Sequence, residues 1–137
     1  MSRENVDLVR SIWAAWEQGD LSSVEWAHPA VEYVIGDGPI PGCWTGLAEM
    51  AKAGRENADA WDDLRFQVEE YRALDDERVL VLYRYDGRGR MSGLELAQLR
   101  SEGVGLFHVR GGKVTRLVQY WDRERGLADL GLARDAG

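Results

Sequence analysis

The spacing of apolar residues changes period part-way along the chain. Over the first sixteen residues Val6, Val9, Ile12, Trp13 and Trp16 recur three and four apart, as on one face of a helix. Ser2 can cap the start of that helix and Gly19 its end. Asp20 then opens a predicted short second helix carrying Leu21, Val24 and Trp26, stopped by His28-Pro29. A short strand is predicted over 31–35 and a Gly- and Pro-rich loop over 36–42. A third helix, carrying Leu47, Met50 and Ala51, is predicted over about 45–57.

From Trp61 onward the period is two. Leu64, Phe66 and Val68 alternate with Arg65, Gln67 and Glu69, as in a half-buried strand. Residues 79–85 are apolar apart from Arg84, the pattern of a central strand covered on both faces. Glycines from Gly87 to Gly93 predict a turn, and a long segment over 94–110 runs back, with Gly103 and Gly105 marking a bulge or bend. Gly111-Gly112 predicts a tight hairpin into a last strand over 114–121, and 122–130 reads as a short closing helix. Helices first and an antiparallel meander afterwards give an α+β fold, with the helices packed on one face of a curved sheet.

Length and composition bound what such a fold can do. At 137 residues the chain fits a single domain, 1–137, with one core. With 45% hydrophobic and 30% charged residues, neither a disordered tail nor a membrane protein fits, and no run approaches the roughly 20 apolar residues of a membrane span. Arg3, Glu4, Asp7, Arg10 and Glu17 break up any signal-peptide stretch. Seventeen basic against twenty-four acidic residues give a net charge of −7, which argues against nucleic acid as a partner. A single Cys, Cys43, excludes an intrachain disulfide and makes a reducing cytoplasm the simplest home. Two His residues, His28 and His108, without ligand spacing give no metal signal. Fifteen of the seventeen basic residues are Arg, which suits a GC-rich bacterial genome. Six Trp among thirteen aromatics is the odd entry in this inventory: so many indoles either overfill a small core or line something.

Several segments together carry a family resemblance: Trp16-Glu-Gln-Gly-Asp20, His28-Pro-Ala-Val-Glu-Tyr33, Trp44-Thr-Gly46, Asp76-Glu-Arg-Val79, the hairpin from Leu106 to Val114, and the tail from Tyr120 to Gly131. In these the chain resembles the nuclear transport factor 2-like superfamily, and within it the SnoaL-like proteins related to polyketide cyclases and ketosteroid isomerases. The resemblance implies a cone-shaped fold with a pocket between the helices and the concave face of the sheet. It also implies a homodimer formed through the outer sheet face, where His108 would sit. It does not fix a reaction, because function lies in the site and not in the fold.

Each chemistry of that superfamily can be set against the matching positions. The isomerase pattern implies a Tyr, a general base and an oxyanion Asp where this chain has Ile12, Tyr33 and Gly105. The epoxide hydrolase pattern fares better: Arg84-Tyr85-Asp86 reproduces its Arg-x-Asp, and residues two apart on a strand share a face. At the last-strand acid–base position, shared with the cyclases, this chain has Gln119, which can hold a water but cannot take its proton. Either Gln119 orients a ligand carbonyl, or a base comes from elsewhere, such as Asp37 or Glu49.

The resulting candidate machinery is Arg84 to stabilise negative charge, Asp86 to move a proton, and Gln119 with Tyr33 to position the substrate. The structural alternative for Arg84 and Asp86 is an ion pair at a strand end. Pocket walls are implied at Ile12, Trp16, Trp44, Met50, Leu82, Phe107 and Trp121, while Trp13, Trp26 and Trp61 read as packing. Two readings stay open. One is an acid–base enzyme without metal or organic cofactor, acting on a small apolar organic molecule by epoxide opening, cyclisation or isomerisation. The other is a non-catalytic binding or dimeric interaction module.

Overall fold

The change of period at Trp61 is where the sheet's meander begins. The computed structural model describes residues 2–18, 24–38, 41–59, 61–89 and 102–132. Along the chain run α1 (Ser2–Glu17), β1 (Ala27–Ile35), β2 (Gly42–Thr45), α2 (Leu47–Asp59), β3 (Trp61–Ala73), β4 (Arg78–Gly89), β5 (Glu102–Arg110), β6 (Lys113–Tyr120) and α3 (Arg123–Asp129). The six strands form one open sheet in the order β2-β1-β6-β5-β4-β3, antiparallel throughout except for the parallel pair β1–β6. The fold is α+β, as the sequence pattern requires.

Strand alternation sorts the side chains into two layers. Val79, Val81, Tyr83 and Tyr85 of β4 face α1 and α2, joined by Val9, Ile12 and Trp13 of α1 and Met50 and Ala53 of α2. Leu80 and Leu82 face the other way, with Leu106, Val118 and Tyr120, and are covered by Leu127, Leu130 and Leu132 at the chain's C-terminal end. Both faces of β4 are therefore apolar, and that double burial is what its near-continuous hydrophobic run encodes. Gly126 lets α3 lie close, since a Cβ there would collide with Val104 and Tyr120.

Three local expectations need correction. The described part of the predicted second helix is a turn at Glu25 and Trp26, and β1 already begins at Ala27, so Pro29 lies within a strand. Its ladder with β6 is irregular between Ala27 and Glu32, which is how a residue without an N–H is accommodated. His28 does not end a helix; its Nδ1 accepts from the Ala30 N–H at 2.9 Å. The segment before α2 contains the edge strand β2, which pairs with β1. The third correction concerns Gly103 and Gly105, which bend nothing: β4 and β5 pair without a break from Arg78↔His108 to Arg84↔Glu102. Gly103 serves instead to seat a ring, because a Cβ there would stand 2.6 Å from the Tyr83 ring.

The Gly111-Gly112 hairpin is as expected, with φ of 61° and 78° at the two residues. Gly19, Asp20 and Leu21, residues 90–101, and the side chain of Trp61 lie outside the described residues. No helix among the described residues is long and apolar enough to cross a membrane.

Candidate functional site

Between the helices and the inner face of the sheet lies a cavity of about 70 Å³, room for about five waters or one small organic group. Trp16 of α1 and Val24 and Trp26 ahead of β1 form one side, with Met50, Ala51 and Gly54 of α2 beside them. The sheet contributes Tyr33 and Ile35 of β1, Phe66 of β3, Tyr83 of β4, and Leu117 and Gln119 of β6. Trp121, just beyond β6, completes the lining. None of the described lining residues carries a formal charge.

Its polar centre is a pair. The Tyr33 hydroxyl donates to Gln119 Oε1 at 2.5 Å across the parallel β1–β6 ladder, where Ile35 is paired with Gln119. Burial pushes the Tyr33 phenol well above its ordinary pKa, so it stays protonated and acts as a donor, not a base. Tyr83 and Tyr85 are raised for the same leading reason, and their hydroxyls donate to the Tyr120 and Trp121 carbonyls at 3.1 and 2.7 Å.

The aromatic wall is braced from behind. Trp13, fully buried, contacts Trp16, Phe66 and Tyr83 at centroid distances of 4.8, 5.5 and 4.6 Å. Trp121 is held by its backbone: Asp37 accepts from the Trp121 N–H at 2.6 Å and from the Asp122 N–H at 3.0 Å. Asp122 in turn caps α3 by accepting from the Glu124 and Arg125 N–H groups. Arg123 then ties α3 to the sheet, donating to Glu69 Oε1 at 2.7 Å and to the Tyr83 and Gly103 carbonyls at 2.8 and 3.1 Å.

Of the sequence candidates, Tyr33, Gln119, Trp16, Met50 and Trp121 meet at this cavity. Arg84 and Asp86 do not. They lie on the outer face of β4 with Leu82, opposite to Tyr83 and Tyr85, and both are exposed. The Arg84 side chain is 63% exposed, and among the described residues it is paired with Glu69 at 4.0 Å rather than with Asp86. A charge there faces water beyond the part of the sheet that α3 covers, which is why it interrupts the apolar run at no great cost. Leu82 packs in the outer layer. Ile12 and Phe107, 2% and 0% exposed, belong to the solid core, Phe107 lying behind Trp16 at 6.2 Å. Trp44 leans on Tyr33 at 5.9 Å from β2 without lining the cavity itself.

Neither alternative base is available to the cavity. Both Asp37 oxygens accept backbone N–H groups, and Glu49 is exposed. Eight lining residues are not among the sequence candidates: Val24, Ile35, Ala51, Gly54, Phe66, Tyr83, Leu117, and Trp26, which reads as packing in the sequence but lines the cavity. For Phe66 a signal is present in the alternation of Leu64, Phe66 and Val68, whereas Tyr83 lies in a run that is apolar on both faces and carries none. Among the described residues no group of three or more His, Cys, Asp or Glu could hold a metal ion, and Cys43 is exposed on β2.

Comparison with known proteins adds a family. Residues 9–117 match the SnoaL-like domain. Among solved structures, the chain is similar to a nuclear transport factor 2-like protein from Burkholderia thailandensis (22% identity, TM-score 0.75, covering 85% of this chain and 89% of that one). It is similar to a protein of ketosteroid isomerase-like fold from Catenulispora acidiphila in complex with trimethylamine (17%, 0.69, 93% and 95%). A third likeness is to a proposed polyketide cyclase from Xanthomonas campestris (21%, 0.67, 93% and 96%). No curated protein matches the sequence.

Proposed function

The chain belongs to the SnoaL-like family of the nuclear transport factor 2-like superfamily, and from that premise we propose that it binds one small, mostly apolar organic molecule in its cone. The observation that carries this reading is the cavity itself: an aromatic lining, uncharged among the described residues, around the single Tyr33–Gln119 pair. Apolar burial supplies affinity, and the pair supplies orientation. With the Tyr33 proton committed to Gln119 Oε1, the pair still offers the Gln119 NH₂ as donor and the Tyr33 oxygen as acceptor.

Binding without turnover is favoured over acid–base catalysis. A protonated Tyr and a Gln can polarise a carbonyl but cannot relay a proton at neutral pH, and Asp37 is engaged by two backbone amides. Epoxide opening by Arg84 and Asp86 is not carried forward, because both side chains are on the far face of β4. Homodimerisation through the outer sheet face is retained as part of the proposal. The leucines at 127, 130 and 132 already cover Leu80, Leu106 and Val118, so a second copy would meet the remainder of that face, including exposed Glu32 and Arg116 and half-buried His108.

Native mass spectrometry of the purified chain, with tryptophan fluorescence titrations against a panel of small neutral and charged organic molecules, tests the reading. A retained or added molecule should quench the indoles, and Tyr33→Phe should weaken it about three- to tenfold by removing one hydrogen bond. A panel in which nothing changes mass or fluorescence would overturn it. Analytical ultracentrifugation decides the dimer.

A further inference from the structure

Resting on the reading that the cavity binds a small molecule, we infer that its preferred ligand class is a tertiary or quaternary alkylammonium, held by cation–π contact. Six rings line the cavity: Trp16, Trp26, Tyr33, Phe66, Tyr83 and Trp121. They do not form one flat stack. Trp16 meets Trp26 at 73° and Phe66 meets Tyr83 at 78°, which makes corners, while Phe66 and Trp121 lie within 31° of parallel. Rings set at such angles put aromatic walls on several sides of the cavity, and three of the six are indoles, the strongest cation–π partners.

The charge and hydrogen-bond inventory separates the ligand classes. An anion would face ring quadrupoles with no cationic side chain among the described lining residues to compensate it. A primary ammonium carries three N–H donors, whereas the described side chains offer it Gln119 Oε1 and the Tyr33 oxygen as acceptors, already bonded to each other. A tertiary ammonium needs one acceptor and a quaternary one needs none. Both spread their charge beneath methyl groups and so lose less hydration on entering an apolar box. The net charge of −7 adds a long-range field of the right sign.

The experiment compares three molecules of one shape on the unmodified chain by calorimetry and indole quenching: choline, its neutral isostere 3,3-dimethylbutan-1-ol, and anionic 3,3-dimethylbutanoate. Choline should bind at least about tenfold tighter than the alcohol, and the butanoate weakest. Trp121→Leu and Trp16→Leu should each lower choline affinity at least about fivefold while changing the alcohol's by less than about twofold. Because the three ligands are compared on the parent chain, a variant that fails to fold leaves the outcome decided. Alcohol binding as tight as choline, or equal losses for both ligands in the variants, overturns the ammonium assignment and leaves the small-molecule reading standing. If none of the three binds while other molecules of the panel do, the ammonium assignment falls alone. If nothing in either set binds, both fall together.

Discussion

The inner face of the sheet is built in two halves that share the same strands but not the same shapes. Along β4 it reads Val79, Val81, then Tyr83, Tyr85; along β1 Val31, then Tyr33; on β6 Val114, then Leu117 and Gln119, with Trp121 beyond. In the valine half Val9, Val31, Val79, Val81, Val109 and Val114 are all at most 1% exposed. Short branched side chains interlock there to crystal-like density. In the ring half, planar side chains meet edge to face and a cavity remains between them. The lesson is that the site is not a gap left by missing residues. It follows from exchanging side chains that fill irregular space for side chains that cannot.

That contrast can be broken by substitution, with effects that fall in order. Phe107→Ala acts on the solid half and should cost about 3–5 kcal/mol by urea unfolding. A loss below about 1 kcal/mol would mean that the solid core extends less far than the burial of Phe107 indicates. Next is Asp37→Asn, which puts an NH₂ against one of two backbone donors in a buried setting and should cost about 2 kcal/mol. The indole emission of Trp121 should shift with it, because Asp37 anchors the wall of the ring half and not the valine half.

On the opposite face, Arg84→Met should leave ligand affinity within about twofold and stability within about 0.5 kcal/mol, as expected of an exposed charge 4.0 Å from its partner. A large loss of binding would return Arg84 to the site. The smallest effect concerns His108. Burial, then the Arg116 and Arg78 charges, hold its pKa below the usual imidazole value. Protonating it therefore costs more in the fold than in the unfolded chain. The stability it allows is full above the unfolded pKa of about 6.5 and declines as pH falls from there toward the lower folded value. In His108→Gln that part of the decline should vanish, a Tm difference of no more than about 2 °C between pH 7.5 and 5. Parallel Tm curves for parent and variant would show that His108 takes no part.

Much of this architecture is legible in the residue pattern, and what is not legible has physical reasons. Residues with a single wet face declare their orientation: α1 shows its stripe, and β3 alternates from Leu64 to Glu69. β4 has no wet face over most of its length, so the run from 79 to 85 carries no parity, and Arg84 reads as an intruder into a pocket instead of the first residue past α3's cover. Tyr83, the true inward neighbour, was hidden for the same reason. The segment around Trp26 reads as a helix because apolar spacing over five residues cannot separate a helix from a turn entering a strand. Tyr33 and Gln119 were identifiable as positions, but their pairing depends on the β1–β6 register, which no local pattern encodes.

That register has a kinetic side. Tyr33 and Gln119 are 86 residues apart in sequence, and β2, α2 and strands β3–β5 lie between the two strands that the parallel ladder joins. Hairpins such as β5–β6 close a loop of a few residues, whereas β1–β6 must repay the entropy of closing a loop of some eighty. Any partly folded form holding the β3–β6 meander alone would carry Gln119 on its sheet but lack Tyr33, its partner on β1. By that entropy the β1–β6 pairing, and with it the polar pair of the pocket, is expected to form after the local hairpins.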